Sequence, residues 1–245
     1  MSHQNSTISV NTIEPQSGTT LTIGQSGQNV VVNADSIKNN ALKDAGGNAL
    51  FTSNGSGVLS GVNGGFGGPD ELVDTQTLSN VVNATFTLGT HKSYLFEFSE
   101  IKPVATGETP LMFQASIDGS AFGPDLTTTV IRVYNNEANN NTMLDFNAGR
   151  AQQSAATFQR FDGGVGVGTQ IGCASGYLNL FNPSSTTHYK NFTMTSSARQ
   201  ATTAFYTFEL RNTGYWATTS ALTHFRFQMQ TGNIHSGTIK MYGIK

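Results

Sequence analysis

Groups able to do chemistry are thinly scattered along this chain. The five histidines, His3, His91, His188, His224 and His235, show no H-x-H or H-E-x-x-H spacing, so a zinc site would need ligands gathered by folding or from another subunit. Cys173 is the only cysteine, which excludes an intrachain disulfide and a thiolate metal cluster. Its strand-like setting, Ile171-Gly172-Cys173-Ala174, marks it as a small buried residue. Carboxylates are dispersed: Glu97, Glu100, Glu108, Asp118, Asp125, Asp145, Asp162 and Glu209. A glycosidase needs two carboxyl groups about 5–10 Å apart, and no spacing here selects a pair. If sugar cleavage were found, Glu97, Glu108, Asp118 and Asp125 would be the first to mutate. The run Gly163-Gly164-Val165-Gly166-Val167-Gly168 does not match G-x-G-x-x-G and no helical pattern follows it, so it reads as a loop or bulged strand edge. Ser60, in Gly57-Val58-Leu59-Ser60-Gly61, has the wrong spacing for a nucleophile elbow. The expectation is a protein that binds and does not catalyse, with no cofactor and no metal.

For binding, the most suggestive segment is residues 135–141, Asn-Asn-Glu-Ala-Asn-Asn-Asn, a long polar loop. Amides and carboxylates beside an aromatic ring suit sugar hydroxyls, which makes Tyr134, Asn136, Glu137 and Asn140 the candidate ligand-binding set. A plain solvated connection is the competing reading of the same composition. Tyr189, Tyr215 and Trp216 could also supply platforms, although core packing is the better reading for Trp216.

The elements that must position these residues read as strands. Val82, Ala84, Phe86 and Leu88 alternate with polar residues, as do Tyr94, Phe96 and Phe98, and Leu111, Phe113, Ala115 and Ile117. Further runs cover 130–134, 177–181, 192–194, 205–210, 225–229 and 238–242. Nine such runs, with turn residues between them, predict an antiparallel β-sandwich of jelly-roll type over residues 80–245. Alternation with one polar face suits antiparallel pairing, since parallel sheets are buried on both sides. Phe86, Phe96, Phe98, Phe113, Phe208, Phe225 and Phe227 are the expected core. Helical periodicity is almost absent, and the best helix candidate, residues 35–43, is short.

The first 68 residues differ. The chain has 16 Phe, 7 Tyr and one Trp, yet only Phe51 and Phe66 precede residue 80. Short apolar clusters (Ile8/Val10, Leu21/Ile23, 30–32, Ile37, Leu50/Phe51, Val58/Leu59) recur about every seven to nine residues, with Gly, Ser, Asn and Thr between them. So few apolar side chains cannot offset the entropy of ordering the segment alone. Several copies pooling their stripes around one axis could, which predicts an extended β-rich trimerisation and attachment arm over residues 1–68. The glycine-rich stretch from Val62 leads into an expected linker over 69–79.

Composition narrows the partners. Charged residues are 11% of the 245, against a usual share of about 25%, and the net charge is −2. Nothing offers nucleic acid a clustered basic surface. No run approaches the roughly 18 apolar residues of a membrane span, and the start, Met1-Ser2-His3-Gln4-Asn5-Ser6, has no secretory pattern.

The segment from Ser6 to Gly24 (STISVNTIEPQSGTTLTIG) resembles repeats of tailed-phage fibre-like proteins, as does Asn48 to Gly57 (NALFTSNGSG). Tyr177 to Thr187 (YLNLFNPSSTT) and the closing Ser236 to Lys245 (SGTIKMYGIK) are similar to the terminal β-sandwich of phage virion proteins. The likeness spans nearly the whole chain, and its motifs are structural. It implies a homotrimer on the virion surface, attached through its arm to tail, baseplate or capsid proteins and released by lysis without an export signal. Two functions then stand open. One is a tail fibre or spike whose sandwich binds host surface polysaccharide. The alternative is a capsid decoration or cement protein that stabilises the head.

Overall fold

A computed structural model describes residues 41–43, 48–53, 56, 59–60, 70–105, 109–161, 172–200 and 206–244. The chain divides into two compact units, residues 1–62 and 63–245. In the first, β1 (Ala41–Lys43), β2 (Ala49–Ser53) and β3 (Leu59–Ser60) form an antiparallel meander in that order. Leu42 faces Phe51 across the first pair. The end of the segment offered as a helix is therefore strand, and no helix occurs among the described residues. The apolar clusters from Ile8 to Ile37 lie outside them.

The second unit is an antiparallel β-sandwich. In chain order its strands are β4 (Asp70–Val81), β5 (Asn83–Thr87), β6 (Ser93–Pro103), β7 (Leu111–Ser116), β8 (Leu126–Asn136) and β9 (Thr142–Phe146). They continue as β10 (Gln159–Arg160), β11 (Ala174–Phe181), β12 (Lys190–Gln200), β13 (Tyr206–Trp216), β14 (His224–Met229) and β15 (Ile234–Ile244). Eight form one sheet, ordered β4-β15-β6-β11-β12-β13-β8-β9, and four form the other, ordered β10-β7-β14-β5. From β4 to β8, and again from β13 to β15, successive strands alternate between the sheets, whereas β8–β9 and β11–β12–β13 are hairpins within the larger one.

Period-2 alternation sends one set of side chains from each sheet into the shared core. Burial in β14 alternates strictly, with Phe225 and Phe227 inside. Phe96 of β6 stacks on Phe225 at 4.7 Å between ring centroids, and Phe113 of β7 lies parallel to Phe225 at 5.6 Å. All seven phenylalanines expected in the core are buried. Trp216 is fully buried too, and its Nε1–H donates to Gln114 Oε1 at 2.5 Å, a bond between strands of different sheets. The buried Gln114 also accepts from the Ala115 amide at 2.8 Å and donates to the Thr157 carbonyl at 3.1 Å.

Three expectations change. Residues 70–79 are no linker: they begin β4, which pairs along β15 from Asp70↔Ile244 to Val81↔Ile234 and buries Leu78. Ile117 does not continue the inward series of β7, because the strand ends at Ser116 and the Asp118 turn leaves Ile117 exposed. Val82, between β4 and β5, is likewise exposed.

Candidate functional site

The polar segment 135–141 forms the tip of the β8–β9 hairpin. Asn136 is buried there, and its amide braces the turn: Oδ1 accepts the backbone N–H groups of Asn140 (3.0 Å) and Asn141 (3.1 Å), and Nδ2 donates to Asn140 Oδ1 (2.7 Å). Asn139 takes φ of 51°, a left-handed conformation that asparagine tolerates better than most residues. Tyr134 belongs to a small satellite core with Val130, Phe208 and Leu210, and its ring meets Tyr206 edge-on at 5.3 Å. Of the four candidate residues, then, Tyr134, Asn136 and Asn140 are engaged in building the hairpin. Glu137 and Asn140 stand at the surface, and Glu137 pairs with Arg199 of β12 at 3.1 Å. Trp216 is core, whereas Tyr189 and Tyr215 stack on each other at 5.7 Å and 10°.

A larger feature lies across the solvent-facing side of the eight-stranded sheet. Strand register sets Ile131, Arg211, Thr195, Tyr177, Glu97 and Lys240 side by side on β8, β13, β12, β11, β6 and β15. The next row holds Leu144, Val133, Glu209, Ser197 and Ser175. On β12, Phe192, Met194, Ser196 and Ala198 point inward, leaving Thr193, Thr195 and Ser197 outward. Of these, Thr195 and Ser197 belong to the floor of a trough that runs across five strands. Tyr177 stands at one end, Glu209 in the middle, and Val133 and Leu144 towards the other end.

The trough encloses about 780 Å³. Past Tyr177 it meets a hollow of about 540 Å³ bordered by Leu95, Glu97 and Asn179. At the hairpin end it shares Asn135 and Thr207 with a hollow of about 380 Å³ that contains Glu137 and Arg199. Gly176 lies in the inward phase of β11, where a Cβ would collide with the Thr195 carbonyl, with Phe98 Cζ at 2.7 Å and with Ser196 Cα at 2.8 Å, so no side chain fits against the core there and the strand gives the trough only backbone at that position.

Charge along this face is balanced. Arg211 Nε donates to Glu209 Oε1 at 2.8 Å, and that hydrogen bond, then the carboxylate's charge, raises the guanidinium pKa. Glu97 accepts from Tyr242 Oη at 3.3 Å and lies opposite Lys240 in register. Glu97 and Glu209 are separated by three strand spacings, about 14 Å, well beyond the separation two cooperating glycosidase carboxylates need.

The other candidate groups stay apart. His91 approaches Tyr94 Oη (3.3 Å) and Glu71 (3.4 Å), His188 Nδ1 lies 2.8 Å from Thr187 Oγ1, and His224 Nδ1 lies 2.9 Å from Thr223 Oγ1. Among the described residues, no three His, Cys, Asp or Glu side chains come close enough to hold a metal ion. Cys173 is half-buried, and burial pushes its thiol pKa up, with the Glu100 charge adding to the effect. Asp118 and Asp125 border a separate hollow beside Phe122. Asp162 and the glycine run 163–168 lie outside the described residues, as do Glu108 and His3.

The trough was hidden in sequence because its residues are ordinary one at a time. The signal was present in β12, where Asn191, Thr193, Thr195 and Ser197 alternate with Phe192, Met194, Ser196 and Ala198, a hydroxyl-rich face against a largely apolar one. No protein family, curated protein or solved structure matches this chain.

Proposed function

We propose that this is a surface protein of a tailed-phage virion, an oligomeric fibre- or spike-like appendage that binds glycans on the host cell. The observation that carries the reading is the open trough. Among the described residues of the second unit, nothing covers the outer face of the larger sheet, and that face offers an aromatic ring, many hydroxyls and few unbalanced charges. This chemistry suits sugars. The resemblance of both ends of the chain to phage virion proteins supports the setting, and the repeated apolar beat of residues 1–68 supports a trimer that pools its arms. A trimer also turns three weak sugar sites into one firm attachment.

The test is competition. Full-length protein added to host cells before infection should bind them and reduce phage adsorption, and gold-labelled antibody should decorate the tail at low copy number. Labelling spread over the head, with adsorption unaffected by added protein, would instead establish the capsid decoration reading.

A further inference from the structure

We infer that the trough holds a neutral saccharide chain running across the strands from β11 towards β9, with Tyr177 stacked on one sugar face and the Glu209–Arg211 pair bonded to its hydroxyls. The inference rests on the glycan-binding reading above and assigns it a site, an orientation and a ligand class.

Dimensions fit an extended chain. The lining runs from Tyr177 on β11 to Leu144 on β9, four strand spacings or about 19 Å across the sheet, and covers two residue steps, about 7 Å, along each strand. A single strand laid in the trough matches that shape, and the row of small floor residues lets it approach the sheet.

Chemistry sets the class. Tyr177 is 48% exposed, so its ring presents an apolar surface at one end of the trough. Thr195, Ser197 and Ser175 place hydroxyls beside it that both donate and accept, matching sugar hydroxyls. Arg211 donates to Glu209 through Nε, which leaves further guanidinium N–H groups for a ligand and fixes the carboxylate as an acceptor. The charges cancel locally: Glu209 against Arg211, Glu97 opposite Lys240, Glu137 against Arg199. A polyanion, whether a uronic acid polymer or a nucleic acid, would find no net positive field to hold it. A neutral polymer needs none.

The experiment uses the full-length chain and a panel of hexasaccharides: cellohexaose, maltohexaose, xylohexaose and mannohexaose as neutral probes, hexaguluronate as the acidic one. Titration followed by nuclear magnetic resonance should show binding of a neutral probe, unchanged on raising salt. Tyr177→Ala should weaken it by about tenfold or more. Ser197→Trp, which fills the trough from an exposed position, should abolish it, with both variants keeping the parent thermal midpoint. A preference for hexaguluronate, a salt-sensitive affinity, or no neutral probe bound would overturn the ligand class. Binding undiminished in both variants would overturn the site. Host-cell adsorption separates the two levels: variants that adsorb like the parent remove the trough but keep the adhesin, whereas a parent that never adsorbs removes the adhesin itself.

Discussion

Substituting Gln114 by Leu should destabilise the protein by about 2–5 kcal/mol, a large effect for a change that nearly conserves volume. Gln114 and Trp216 are both fully buried, and the side-chain amide satisfies three groups: the indole N–H, the Ala115 amide and the Thr157 carbonyl. Leucine gains some transfer free energy but leaves these partners without Gln114, and a buried polar group so orphaned costs about 1–3 kcal/mol. The indole N–H has no second acceptor among the described residues, so it dominates. Trp216→Phe removes that donor, and the double variant Gln114→Leu/Trp216→Phe should then be more stable than the two single losses summed, by about 1–2 kcal/mol. Trp216 is the sole tryptophan, so denaturant titrations of all four proteins should be followed by far-ultraviolet circular dichroism, not fluorescence. A loss under about 0.5 kcal/mol for Gln114→Leu, or strict additivity in the cycle, would refute the role assigned to this bond.

Phe227→Ala should cost about 3–5 kcal/mol, because its ring is buried among Phe86, Phe96, Phe161 and Phe225; a loss below about 1 kcal/mol would mean β14 is shifted by one residue. Asp118 should titrate at about 2, below its ordinary 3.8, because the backbone amides of Ala121 and Ser120, then the Ser116 hydroxyl, bond its ionised form. The folded-state value is depressed, so the carboxylate's contribution to the turn is complete above the ordinary value and is lost as pH falls through about 2. Carbon-detected titration of this side chain checks it, and a midpoint near the ordinary 3.8 would show that the turn does not hold the charge.

The core was legible because phenylalanine at every second residue sets all its rings on one face of a strand, and a face of rings has to be covered. Phe96 and Phe98 in β6, and Phe225 and Phe227 in β14, declare both strand and inward face at once. β4 was not legible. Its twelve residues, Asp-Glu-Leu-Val-Asp-Thr-Gln-Thr-Leu-Ser-Asn-Val, bury Leu78 but expose Leu72 and Val73, so its membership comes from backbone pairing with β15, which no side-chain pattern reports. The hairpin tip was seen but its workings were not. Composition cannot tell an asparagine that meets solvent from one, like Asn136, whose amide ties its own turn together. For the trough, sequence supplied the alternation in β12 but not the neighbours, because Tyr177, Thr195 and Arg211 meet only through register across three strands.

The pairing of β4 with β15 also constrains how this molecule is made. Among the described residues, the second unit begins with a strand whose only sheet neighbour is β15, which is synthesised after every other strand described, and β15 is also what joins β4 to β6. Until β15 leaves the ribosome, the twelve residues of β4 have both backbone edges open, and the eight-stranded sheet ends at β6. Such long-range pairing makes for slow folding. Closure of the sandwich therefore waits for β15, and a nascent chain carries an unpaired β4 until that strand emerges. Where many copies are translated together, β4 is the segment most exposed to capture by a neighbour, and chaperone dependence or strand exchange during assembly should begin there.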